Sequence, residues 1–338
     1  MKSTFHVDFA IAGAGIIGLS LALELHARGA SVAILDTAKA TAGASTAAAG
    51  MLAADDPHNP PALHAFSTYS ASLYDGYLRR LAALSGTEVP YQTDATLQYV
   101  DGASPLKLEE HSVDPRQLSA AALAAVRNSG VRLIEGCGQI EVEECSNEMI
   151  LRPAVGAEVH AERLVHASGA WFRGGSQSAD PVVFPRKGQM LRVRIPAGLD
   201  LVEVHRSAKL YIVPRTHGPQ AGTAIIGATE EAAGFDLSVH QTDLDRLRQA
   251  AAQMIPELAN IEASPQLEAW AGLRPATRDL LPLLGKLPGS EPQWVATGHY
   301  RNGILLAPGT AAVMSDLLEG RAPSIDLAPF SPSRFIQT

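Results

Sequence analysis

Two rhythms of apolar residues alternate along the first part of the chain. Residues 7–12 (V-D-F-A-I-A) form a short β-rich apolar run, a glycine-punctuated turn follows, and from Ile16 to Arg28 apolar positions recur at helical spacing. The pattern predicts strand, turn and helix. Gly29 closes the helix, and Ser31–Leu35 (S-V-A-I-L) is a second apolar run ending at Asp36, which completes a βαβ unit and predicts a parallel sheet with covered faces. The same grammar returns over residues 114–170. There Asp114-Pro115 opens a helix to about Asn128, and Val131–Glu135 and Arg163–Ala167 read as strands. Between and after these patches the strands lengthen and lose their intervening helices: Gly188–Ile195, Lys209–Val213, Thr223–Ala228 and Glu268–Arg274. This predicts an antiparallel sheet, covered by a helix over about Val239–Ile255 whose apolar positions fall three and four apart. The chain ends in a strand at Trp294–Thr297 and a helix at about Gly309–Glu319. It therefore enters a dinucleotide-binding domain, leaves, returns, and finally closes on it.

Composition narrows the class. With 338 residues, 46% hydrophobic and 18% charged, the chain can bury a large core and is too apolar to be mainly disordered. Lys plus Arg total 27 against 35 acids, a net charge of -8, which offers no general attraction to nucleic acid or to anionic lipid. Cys137 and Cys145 cannot form a disulfide framework, and neither belongs to a metal-ligand spacing, so a reducing, cytoplasmic setting is expected and no metal. Nor do His111, His166, His205 and His299 pair at helical spacing. The apolar run after Lys2 is broken by Gly13, Gly15 and Gly18 and is read as structure, not as a targeting signal; no other stretch suggests a membrane span.

The turn G-A-G-I-I-G carries the first chemistry. Gly13 permits the tight turn, Gly15 lets the backbone approach a pyrophosphate, and Gly18 lets the helix pack on the strand. Asp36, at the end of the next strand, is placed to accept hydrogen bonds from a ribose diol and disfavours a 2′-phosphate, so the nucleotide is expected to be NAD or FAD. The small residues of G-A-S-T-A-A-A-G-M-L (Gly43–Leu52) then allow a flat ligand to lie against backbone, or form an alanine-rich helix start.

Nine segments occur in a fixed order: the βαβ unit, Gly43–Leu52, H-S-V-D-P-R-Q-L (111–118), V-H-A-S-G-A-W (165–171), P-R-K-G-Q-M-L (185–191), Y-I-V-P-R (211–215), I-G-A-T-E (226–230), W-A-G-L-R-P-A-T-R-D (270–279) and G-H-Y-R-N-G-I-L-L-A-P (298–308). Together they resemble the FAD-dependent D-amino-acid oxidase family, most of all its glycine-oxidising members of thiamine biosynthesis. Residues 60–110 match no motif. The resemblance implies an α/β fold in which a Rossmann-like FAD-binding domain (residues 1–60, 111–175 and 276–338) is interleaved with an antiparallel-sheet α+β substrate domain (61–110 and 176–275). It implies that Gly13, Gly15, Ile17, Gly18 and Asp36 hold the ADP half of non-covalent FAD, and that Ser45, Ala49, Gly50 and Met51 line the flavin. Gly169 would support the middle of the cofactor, with Asn302, Gly303, Ile304 and Leu305 at the pyrimidine edge and Arg301 as a further cofactor-binding residue.

For the substrate, alternation along Glu268–Arg274 puts Trp270, Gly272 and Arg274 on one strand face, the glycine leaving an opening beside the guanidinium. A planar fork suits a carboxylate, though spacing alone favours a solvated arginine. The resemblance assigns Arg274 to the substrate carboxylate, with Tyr211 as a second donor and Arg301 as a further arginine near the site; Met51 and Trp270 are the expected walls of the side-chain pocket. The implied reaction is hydride transfer from the Cα of glycine or another small amino acid to FAD, with O2 as acceptor, giving an imine that hydrolyses to oxo acid and ammonia, and hydrogen peroxide. A D-amino-acid or sarcosine oxidase or dehydrogenase, an RNA-modifying flavoprotein domain and a non-catalytic flavin binder are the alternatives, and a homo-oligomer is compatible with all of them.

Overall fold

The computed structural model describes residues 3–100, 102–145, 148–173 and 182–335. Strand β1 (Thr4–Ala12), helix α1 (Ile16–Ala27) and strand β2 (Val32–Leu35) form the expected βαβ unit, with β1 and β2 parallel from Phe9 opposite Val32 to Ala12 opposite Leu35. Helix α1 has no polar face: Ile16 to Leu23 and Leu25 are all buried, as suits a helix enclosed by others. The alanine-rich segment makes only one turn of helix, α2 (Ala44–Ala47).

The segment without motifs folds into helices α3 (His64–Ser72) and α4 (Tyr74–Ser85), then short strands β3 (Tyr91–Thr93), β4 (Thr96–Gln98), β5 (Leu106–Leu108) and β6 (Ser112–Val113). The sequence reading gave residues 61–110 wholly to the substrate domain, and the structure divides them. Phe66, Tyr74, Tyr77 and Leu81 share one apolar core with Leu19 and Leu21 of α1, and Tyr77 Oη hydrogen-bonds Ser20 Oγ at 2.7 Å. Only β4 and β5 join the second sheet.

Helix α5 (Pro115–Asn128) starts where predicted, because the Asp114 carboxylate accepts the amide of Arg116 at 2.8 Å and Pro115 occupies the first turn. Strands β7 (Arg132–Ile134), β8 (Ile140–Glu144), β9 (Met149–Pro153) and β10 (Glu158–His166) follow. Next come β11 (Phe184–Arg194), β12 (Val204–Arg206), β13 (Tyr211–Arg215), β14 (Thr223–Gly227), α6 (Gln241–Met254), β15 (Gln266–Ala276), β16 (Leu283–Lys286), β17 (Gln293–Thr297) and α7 (Gly303–Leu318).

The first sheet runs β16-β17-β10-β1-β2-β7, parallel except for β16, with β9 and β8 added antiparallel beside β10. The second runs β15-β11-β14-β13-β12-β4-β5 and is antiparallel except between β12 and β4. Its faces differ in chemistry. Leu191, Val193, Ile212, Ala224 and Ile226 pack against Leu244, Leu247 and Ala251 of α6. The opposite face carries Gly188, Met190, Tyr211 and Arg274 towards the first domain, as the register of β11 with β14 and β15 requires.

Helix α7 begins six residues before its predicted start because it passes through Pro308. Proline lacks the N–H that would reach the Ile304 carbonyl, and its ring opens the ladder there. The gap is filled from outside: Tyr74 Oη donates to Ile304 O at 2.5 Å, while Ser70 Oγ donates to Leu305 O at 2.7 Å and accepts the Gly309 amide at 2.9 Å.

Candidate functional site

The carboxyl ends of β1 and β2, the α2 segment, the start of α7 and the inner face of the second sheet enclose one continuous cleft of about 860 Å³. That size is ample for a large cofactor together with a small ligand. Gly13, Gly15, Ile17, Asp36, Ser45, Ala49, Gly50, Met51, Gly169, Arg301, Asn302, Gly303 and Ile304 all line it. Gly18 and Leu305 do not.

The glycines divide by task. Gly13 has φ +120°, and a Cβ there would lie 2.5 Å from the Ala167 carbonyl; at Gly18 a Cβ would strike the Gly13 carbonyl. Both are therefore demanded by backbone packing. Gly15 differs: a Cβ would meet only Ser45 Oγ, at 3.3 Å, so its bareness leaves space in the cleft at the start of α1. Gly50 has φ +91°, and its missing side chain makes room for Val113 and Pro115 behind the cleft, not for a ligand in it.

The polar groups fit a dinucleotide. Asp36 stands at the carboxyl end of β2, accepting the amides of Ala14 (2.7 Å) and Ala38 (2.9 Å), which fixes the carboxylate and leaves lone pairs for a diol. Ser45 Oγ accepts the Ile16 amide at 2.9 Å and so caps α1 from a distant segment. At the other end of the cleft, Asn302 precedes α7, whose first residues Gly303 and Ile304 face the space with the positive end of a 16-residue helix. Leu305 points instead into the α1 core and touches the site only through the geometry of its helix. Cys137 is buried and neither cysteine lines the cleft.

Arg274 and Tyr211 are brought together as expected. Arg274 Nη1 donates to the carbonyls of Thr229 (3.2 Å) and Lys187 (3.4 Å), and among the described residues no carboxylate pairs with it. Burial pushes the Tyr211 phenol up, against the opposing pull of the Arg274 guanidinium, so the hydroxyl stays protonated and can donate. The opening beside Arg274 is not made by Gly272, as spacing suggested. A Cβ at Gly272 would lie 2.6 Å from Ala47 Cβ, so that glycine admits α2, while the guanidinium lies over Gly188 of β11. Likewise Gly227 of β14 makes room for the Tyr211 ring.

Trp270 is turned out of the cleft: its indole Nε1 donates to Ala47 O at 3.1 Å and its ring packs under Arg116. Met51 is in the wall, and Met190 joins it. Arg301 is half spent: it pairs with Asp56 Oδ2 at 3.3 Å and donates to Asn59 Oδ1 at 3.2 Å. Burial would raise the Asp56 carboxyl, but Arg206 and Arg301, with His58, hold it below the usual carboxylate range. Asp56, Arg206, Met190 and Tyr300 line the cleft. Met190 and Tyr300 fall within segments of the family resemblance, though neither is singled out there as a cofactor or catalytic residue. Asp56 and Arg206 lie outside those segments and are placed by tertiary contacts. His299 also lines it, fully buried against Thr310 Oγ1 at 3.0 Å, and burial drives its pKa down to about 3, so the ring is neutral.

The model of the family described as FAD dependent oxidoreductase matches residues 8–110 and 106–317. The chain belongs to this family. It is the D-amino-acid oxidase family that the nine segments resemble. The glycine oxidase of Geobacillus kaustophilus is 30% identical over 98% of each chain, and that of Pseudomonas aeruginosa is 30% identical over 96% of this chain and 98% of its own. The crystal structure of the Geobacillus kaustophilus enzyme superposes with a TM-score of 0.89 at 29% identity, covering 98% of this chain and 99% of that one. The interleaved two-domain fold and FAD as cofactor follow for this family member. No helix among the described residues is long and apolar enough to cross a membrane.

Proposed function

We propose that the protein is an FAD-dependent oxidase of glycine and other small amino acids, binding FAD without a covalent link. The observation that carries the reading is Arg274: a guanidinium on the cleft wall, held by two backbone carbonyls and without an acidic partner among the described residues, beside the hydroxyl of the half-buried Tyr211. Such a pair grips a carboxylate through charge-assisted bonds in a site of low polarity.

Each part of the chain then has a task. Gly15, Asp36 and Ser45 receive the nucleotide half, and the start of α7 with Asn302 receives the opposite end. Arg274 and Tyr211 fix the substrate carboxylate, which orients Cα, and the neutral His299 adds no positive charge near the reacting amine. FAD held there would supply the hydride acceptor and the two-electron reduction of O2 to hydrogen peroxide. The neutral amine's lone pair assists hydride loss from Cα, and the imine leaves to hydrolyse to oxo acid and ammonia. The two free cysteines suit a cytoplasmic setting.

The test is anaerobic bleaching of the flavin by glycine, sarcosine, D-alanine, D-proline, D-phenylalanine and L-alanine in parallel, with peroxide measured in air. Glycine or sarcosine should reduce it fastest and peroxide should match turnover. Fast reduction by L-alanine would overturn the binding geometry, and reduction without peroxide would make the protein a dehydrogenase.

A further inference from the structure

Lys187 belongs to the P-R-K-G-Q-M-L segment, yet its side chain points away from the cleft, on the α6 side of β11, and is 0% exposed. A bare ammonium there would be costly. It is met by Asp236 Oδ2 at 2.5 Å, Ser238 Oγ at 3.4 Å and Glu231 Oε2 at 3.6 Å, all from the stretch that links β14 to α6. Glu231 extends the network: its carboxylate accepts Gln189 Nε2 at 2.9 Å and the Thr229 hydroxyl. The backbones are also joined, Lys187 N to Glu231 O at 3.0 Å and Glu231 N to Lys187 O at 2.9 Å. The two carbonyls that hold Arg274 are those of Lys187 and Thr229, the same two residues that this network pins.

We propose that Lys187 is a positioning residue for substrate binding: its buried ammonium clamps residues 229–238 onto β11 and thereby sets where the Arg274 guanidinium points. The inference rests on the reading of Arg274 as the carboxylate site. It makes Asp236 and Glu231 second partners in affinity for the amino acid, although neither faces the substrate through its carboxylate.

The experiment compares FAD-loaded Lys187→Met, Asp236→Asn and Arg274→Ala with the parent, reading flavin content, melting temperature, kcat and KM for glycine, and then repeats Lys187→Met in the Arg274→Ala background. Lys187→Met should raise KM about tenfold or more, Asp236→Asn about threefold, with kcat changed much less and flavin retained. In the Arg274→Ala background the Lys187 change should add nothing to KM. Asp236 is half exposed, so its variant decides the matter if Lys187→Met does not fold. An unchanged KM in Asp236→Asn, or full additivity with Arg274→Ala, overturns the proposal. Normal use of glycine by Arg274→Ala is a different result, and sinks the carboxylate reading itself.

Discussion

The guanidinium of Arg274 lies directly over Gly188 on the adjoining strand, so that a Cβ at Gly188 would sit 2.6 Å from Cζ. The glycine is thus the seat of the arginine. Gly188→Ala should fold, since the group in its way is the end of a flexible side chain, but it must push the guanidinium aside. A tenfold to hundredfold rise in KM for glycine is expected from loss of a charge-assisted contact of about 1.5–3 kcal/mol, with flavin binding intact. Steady-state kinetics on the flavin-loaded variant would show it, and an unchanged KM would remove the seat from the argument.

The glycines of the first turn should separate in the same way. Gly15→Val should give a folded protein that cannot hold FAD, because the new side chain enters the cleft, where Gly15 now has only Ser45 Oγ nearby at 3.3 Å. Gly13→Val should fail earlier, at folding, since its Cβ meets a backbone carbonyl at 2.5 Å with φ at +120°. Circular dichroism and flavin content distinguish the two. Equal FAD retention in a folded Gly15 variant would contradict the cofactor placement.

What could be read from sequence was what is local. The βαβ unit, the cap at Asp114 and the long strands of the second sheet are all announced by apolar period and turn residues within a dozen positions. The task of Gly272 was misread because the answer lies in Ala47, more than 200 residues away. Gly188 and Gly227 are explained only by the register that brings Arg274 and Tyr211 beside them. Helix α3 gave little signal, since Ser67 and Ser70 occupy buried positions where apolar residues would have marked a face. Asp56 and Arg206 reach the cleft through contacts that no spacing along the chain encodes.

The start of α7 was hidden for the same reason, and it yields a stability prediction. Pro308 interrupts the helix ladder, and the hydroxyls of Tyr74 and Ser70 take up the carbonyls of Ile304 and Leu305. Tyr74→Phe removes the donor to the buried Ile304 carbonyl, and a loss of about 1–3 kcal/mol is expected, the usual cost of an orphaned buried acceptor. Because Gly303 and Ile304 frame the cleft, FAD affinity should fall as well. Urea unfolding and flavin titration would measure both. A Phe variant as stable as the parent would show that the helix closes its own ladder.

His299 sets a pH dependence with a definite sign. Its pKa is about 3 in the fold against 6.5 for the ordinary imidazole, so between those values the unfolded chain binds a proton that the folded one refuses. The stability held above pH 6.5 is then lost as pH falls towards 3, at up to about 1.4 kcal/mol per pH unit for the one proton. His299→Gln should show a shallower loss over that window in chemical unfolding at fixed temperature. Identical slopes for the two proteins would mean that the ring is not kept neutral by burial.

Substrate size should be governed by Met51 and Met190, which line the cleft with Tyr211, and not by Trp270. Trp270 lies on the same strand face as Arg274, but its indole is engaged by Ala47 O and stacks beneath Arg116, which ties the sheet to the α2 segment. Trp270→Phe loses the Nε1 donor and should lower stability by about 1 kcal/mol while leaving the ranking of substrates unchanged. Met51→Ala and Met190→Ala instead clear volume in the wall. Each methylene removed from such a wall changes discrimination by about 1–3 kcal/mol, so D-alanine and D-proline should gain on glycine by roughly tenfold or more. Anaerobic flavin reduction by glycine, D-alanine and D-proline across the three variants gives the comparison. If Trp270→Phe alone shifted the ranking, the side-chain pocket would have to extend past Met190 onto β15, where Trp270 is its cross-strand partner.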